Sequence, residues 1–228
     1  QKSPEDHWAF QPIERPSIPS KASSPWAWNP VDVFIAEKLT SAGIQTSEDA
    51  TPVTWLRRIH LDLTGLPPNA HQLRQLDEAI ASGELDAFES KTIQRLLASR
   101  QFAERQARRW LDLARYADTS GDGTDMPIPE ARYYRDWVID AFDRDMPYDQ
   151  FVIEQLAGDL LAKQNPDSPD AFRQTIATGF IALSRRCGNS KYADLHQIID
   201  DTIDTVGKST MGRSLGCARC HHHKFDPV

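Results

Sequence analysis

Cysteine is scarce in this chain, with 3 among 228 residues. That excludes a disulfide-stapled secreted scaffold, which needs more cysteines at wider spacing. No window approaches 18 uninterrupted apolar residues, so no membrane-spanning helix is expected. Positive charge is short as well. The 26 Lys and Arg are outnumbered by 33 Asp and Glu, for a net charge of −7, which argues against a nucleic-acid partner because such binders carry a basic face. The opening "QKSPEDHWAF" lacks the basic start and apolar stretch of a signal peptide and reads as a mature or trimmed form. No G-x-S-x-G, H-E-x-x-H or phosphate loop is found. Whether the chain is an enzyme stays open on these grounds.

Strand hairpins and internal repeats are also missing, and what fills the chain is helix. Hydrophobic residues make up 39% and charged residues 26%, the balance of an ordinary globular domain. Residues 1–29 form an exception: the first 30 positions hold six of the 15 prolines and three of the 6 tryptophans. Proline at that density forbids a long helix and predicts an extended strap, and Trp8, Trp26 and Trp28 are expected to pack it down. From residue 30 to 228 a multi-helix, mainly α domain is expected. Asn29, Pro30 and Gly43 mark a helix start and stop, and Thr51, Pro52 and Gly65 repeat the device. Further helices are predicted near 69–82, 84–99, 101–118, 131–144, 150–161 (capped by Asp149), 170–183 and 193–209. "DTSGDGTDMPIPE", 118–130, is a certain break. Asp118, Asp122 and Asp125 within it raise a calcium site, but an EF-hand would need its glutamate where Pro129 stands.

Chemistry concentrates at the end. "LGCARCHHHKFDPV", 215–228, places Cys217, Cys220 and His221 in the C-x-x-C-H spacing. Two intervening residues let both sulfurs reach the two vinyl positions of one haem, and the following histidine falls over the iron. The same atoms suit zinc: two thiolates plus His221, His222 or His223, with Cys187 and His196 as ligands from a distant segment. A redox disulfide is the third reading, but it expects a βαβ setting that a helical sequence lacks. A second axial haem ligand is not fixed by spacing. His196 is the first candidate, on the helix leading to the motif, and His223 can bond a propionate, bind a second metal or act in catalysis. Asp200, Asp201 and Asp204 read as a solvated helix face. The arginines at 105, 108, 109 and 115 read as partners of acidic neighbours or of haem propionates.

The blocks "DHWAFQP", "NPVDVFIAEKL", "RRIHLDLTGLPP", "ERQARRWLDLARYADTSG", "YRDWVIDAFDRDMPYDQFVIEQLAGDLL" and "GCARCHHHKFDPV" together resemble the DUF1549 family, from residue 7 to 228. The family's closing motif commonly reads C-A-R-C-H-D-H-K-F-D-P, and this chain departs from it at His222 while keeping Cys217, Cys220, His221, His223, Lys224 and Asp226. The resemblance implies part of a longer planctomycete-type protein, periplasmic or secreted. It also implies company with a DUF1553-like domain and a cytochrome c-like domain or other redox partner. It implies no reaction. Motif and resemblance together give the expectation: one covalent haem c held by Cys217, Cys220 and His221, electron transfer, and service to oxidation of an external substrate such as carbohydrate. A zinc-stabilised structural or binding module is the alternative.

Overall fold

The structure, a computed structural model, describes residues 8, 11–19, 26–120, 125–183 and 193–222. Cys187, His223, Lys224, Asp226 and the Asp122 end of the candidate calcium loop lie outside the described residues. Among the described residues the regular structure is helical, and the one β-contact is an isolated bridge between Thr119 and Pro127. The chain divides into two compact units, Gln1–Thr51 and Pro52–Val228.

The first unit holds the strap and helix α1 (Pro30–Ser41). Residues 12–19 have no regular structure, as the proline spacing predicts. Trp8 and Trp28 are 81% and 91% exposed, so two of the three strap tryptophans lie open rather than packed. Asn29 caps α1 as expected: its Oδ1 accepts from Val31 N at 2.8 Å and Asp32 N at 3.1 Å, and Asp32 Oδ2 accepts from Asn29 N. Two of the orphan donors at the helix start are thereby satisfied reciprocally. Gly43 takes φ +67 just past the end, the left-handed turn that spares a Cβ clash.

The second unit begins with α2 (Pro52–Thr64), α3 (Ala70–Ser82) and α4 (Leu85–Leu97) and continues with α5 (Arg100–Leu113). Its core forms where α5 meets α6 (Ala131–Asp143), α7 (Tyr148–Gln164), α8 (Ala171–Ala177) and α9 (Gly179–Ala182). Trp110, Tyr134, Trp137, Phe151 and Phe180 are the large buried side chains there. Trp110 meets Phe151 edge-on with ring centroids 4.8 Å apart, and Trp137 stacks on Phe151 at 5.3 Å. Burying each such ring is worth about 2–3 kcal/mol, before the extra of aromatic geometry. One polar cluster in this core is tightly paired, while Trp137 Nε1 is buried without a partner among the described residues. Trp110 Nε1 donates to Gln155 Oε1 at 2.9 Å and to Tyr134 Oη at 3.0 Å, and Tyr134 donates to Gln155 Oε1 at 2.6 Å. Burial drives the Tyr134 phenol well above its ordinary range, so it stays a donor.

Several predicted boundaries move, and α5 stops at Leu113, short of the predicted end at 118. Helix α7 starts at Tyr148, behind Pro147, rather than after Asp149, because the fixed φ of proline already suits a helix entry. The span 170–183 divides at Thr178 into α8 and α9. The last long helix, α10 (Ala193–Val206), gives way to a π-helical turn, Gly207–Met211.

Candidate functional site

Unit 1 offers an open groove lined mostly by apolar side chains, among them Val31, Phe34, Ile35 and Leu39. The chemistry-bearing residues are instead at the far end of the sequence, and α10 builds their setting. The π-helical turn that ends α10 widens the backbone, and Gly212 at φ +64 reverses the chain. Arg213 N then bonds back to Gly207 O at 3.0 Å. Leu215 lies against Gly207 so closely that a Cβ there would strike it. After this reversal the segment runs back along α10.

Two carboxylates of α10 receive it. Asp204 Oδ1 accepts from Gly216 N at 2.7 Å, while its Oδ2 takes Lys208 Nζ. Asp200, one helical turn earlier, forms an ion pair with Arg219. Asp201 pairs with Arg115, which sits just past the end of α5 at φ +62, a place where glycine is the usual tenant. The acidic run therefore does not form the solvated face expected of it: all three carboxylates have partners, two of them in the returning segment. Arg115 meets the expectation of an acidic neighbour. Burial alone would raise the Asp204 carboxyl. The hydrogen bonds from Lys208 and Gly216, with the charges of Lys208 and Arg115, outweigh it and hold the group below its ordinary value.

The motif itself is a turn. Ala218 N bonds Leu215 O at 3.0 Å, and Cys220 N and His221 N both reach Cys217 O, at 3.3 and 3.4 Å. One carbonyl thus gathers Cys217, Cys220 and His221 into a single helical turn. Both cysteines are free and exposed, and His221 is exposed too. The His221 ring meets His222 O through Nδ1 at 3.0 Å. A carbonyl can only accept, so this contact suits the tautomer protonated at Nδ1, whose Nε2 lone pair can bind a metal. His196 is exposed in the first part of α10. It lies four and eight residues before Asp200 and Asp204, hence on the face to which the turn is held.

These residues fit a covalently attached haem. The thiols are adjacent, unbridged and reachable, and the imidazole keeps the correct nitrogen free. Leu195, Ile199, Ile203 and Met211 are all exposed, so the helix that carries the turn also offers apolar side chains to a large flat ligand. Among the described residues no three His, Cys, Asp or Glu groups converge as a metal set, and the zinc combination draws on Cys187 and His223, which lie outside those residues. In the loop, Asp118 accepts from the Tyr116 hydroxyl at 2.6 Å, and burial with this bond pushes the phenol up to about 12. Asp118 is exposed, with one carboxylate oxygen taken by this local bond.

Sequence reasoning named Cys217, Cys220, His221 and His196 but missed Gly216, Arg219, Asp200 and Asp204 as the framework around them. The available signal was the i, i+4 spacing of the two aspartates on the helix before the motif. Nothing local links them to Gly216 or Arg219.

Among family models, one described as PSCyt2, Protein of unknown function (DUF1549), matches residues 30–228. No curated protein and no solved structure matches the chain.

Proposed function

We propose that this chain, which belongs to the DUF1549 family, holds one c-type haem through Cys217 and Cys220 with His221 as the proximal ligand, and works in electron transfer within an extracytoplasmic redox protein. The observation that carries the reading is the turn itself: C-x-x-C-H spacing, both thiols free and exposed, and all three groups gathered by Cys217 O. A bound haem supplies a one-electron carrier at this place. Each thiol adds S–H across one vinyl C=C, sulfur to the inner carbon and hydrogen to the outer, so nothing leaves and no outside oxidant is needed. His221 offers Nε2 while Nδ1–H stays on the His222 carbonyl. His196 is the proposed opposite ligand, and His223 the proposed partner of a propionate. The proposed partners are a DUF1553-like domain and a cytochrome c-like domain. If no second ligand engages, the open position serves oxidation of an external substrate such as carbohydrate.

The test is an absorption spectrum with intact mass, on protein made in a host whose haem-attachment machinery is active. The expected result is a mass increment of one haem, a Soret band that shifts on reduction, and loss of both in C217A/C220A. Carbon monoxide then reports whether the sixth position is open, and H196A shows whether His196 fills it. An apo mass under those conditions, with stoichiometric zinc by elemental analysis, would overturn the reading in favour of a zinc-stapled module.

A further inference from the structure

The returning segment meets α10 at successive rungs: Leu215 at Gly207, Gly216 at Asp204, Arg219 at Asp200. Sequence number rises along the segment as it falls along the helix, so the two run antiparallel. Each rung moves about 4.5–6 Å along the helix axis, the rise of three to four residues. The next turn of the same face carries His196, and the next residues of the segment are the histidine run. We propose that Asp204 and Asp200 are positioning residues: they lay the Cys217–His221 turn on α10 in the one register that brings His221 and His222 toward the turn of helix bearing His196. The role in haem binding rests on the reading above; the latch itself does not.

Two features make this more than incidental pairing. Gly216 is fitted to its rung, since a Cβ there would stand 3.1 Å from Asp204 Oδ1. Asp204 also uses both oxygens, one on a backbone donor and one on Lys208, so the carboxylate is held from two sides. A backbone N–H bound by a charged acceptor is a strong form of hydrogen bond, and it fixes main chain rather than a flexible side chain.

Hydrogen–deuterium exchange on the apo protein, with thiols kept reduced, tests the latch. Wild type is expected to protect the amides of 216–221. D204A is expected to speed their exchange about tenfold, the loss of one charge-assisted bond, while peptides of α5 and α6 do not change. D204N keeps an oxygen acceptor and is expected to retain most of the protection. R219D should loosen the segment and D200R/R219D should restore it. Unchanged exchange in D204A would overturn the latch, as would failure of the charge swap to restore what R219D loses.

On haem-loaded protein, D204A is expected to shift the Soret band or midpoint potential away from wild type, with D204N close to wild type. A loaded D204A with wild-type spectrum and potential would overturn the positioning role even if exchange rises. Should no haem attach to wild type while D204A exchanges faster, the latch stands and the haem reading falls. Should haem attach and exchange stay constant, the converse holds.

Discussion

His60 lies inside α2 at 3% exposure, and its Nε2 has no hydrogen-bond partner among the described residues. Burial, and then the charge of Arg95, lowers its pKa below the ordinary value of 6.5. The folded state therefore holds a neutral ring, and the unfolded state binds the extra proton. Stability contributed this way is complete above about pH 6.5 and falls as pH drops toward the folded pKa. Urea midpoints measured between pH 7.5 and 5.5 should decline in wild type and decline less in H60L. Gln155 tells the opposite story, since its amide serves Trp110, Tyr134 and the Phe151 carbonyl together. Q155L should lower stability by about 1–3 kcal/mol, because the Tyr134 hydroxyl loses its acceptor while Trp110 Nε1 keeps only Tyr134 Oη. At this scale the sequence was readable only in part. Trp110 and Trp137 are buried, whereas of the adjacent pair Tyr133 is exposed and Tyr134 is buried. Two adjacent tyrosines fit the helical period almost equally well, and only the packed neighbours decide between them.

Elements meet through small residues. A Cβ at Gly158 in α7 would overlap the Gln174 carbonyl of α8, and one at Gly179 would stand 2.7 Å from Tyr134 Cβ. Backbone cannot yield as a side-chain tip can, so G158A should cost about 2–3 kcal/mol. The contrast is G83A: nothing lies within 4 Å of Gly83, and only its φ of +74 opposes a side chain, for about 1 kcal/mol. Thermal denaturation of the two variants should rank them in that order. The helices themselves were largely legible, because Asn29, Asn69 and Ser99 cap as such residues do. The division at Thr178 was not. Residues 170–183 keep one apolar pattern, and the break depends on Gly179 closing against Tyr134, an element distant in sequence.

At the scale of the whole second unit, α10 and its returning segment depend on charge where the α5–α9 core depends on aromatic burial. Arg219 and Asp200 have side chains 58% and 36% exposed, and pairs at such exposure are weak and screened by salt. Raising ionic strength from about 0.05 to 1 M should increase amide exchange at 216–221 and leave α5 and α6 unaffected. Asp204 sets the acid limit. With its carboxyl held below the ordinary 3.8, its contribution is complete above that value and is lost as pH falls through the folded pKa. The C-x-x-C-H motif was legible at once because its chemistry is written in five adjacent residues. Its framework was not, because acidic residues on a helix look the same whether they face water or a returning chain.

The spacing of the latch bears on when the motif takes shape. Gly216 lies 12 residues from Asp204, so closing this loop costs little chain entropy and takes on the order of 100 ns. The pairing asks nothing of residues 52–114 once α10 has formed. As the chain folds, the two thiols can be set side by side within a hairpin of local contacts. They would then be ready for modification while the aromatic core is still assembling.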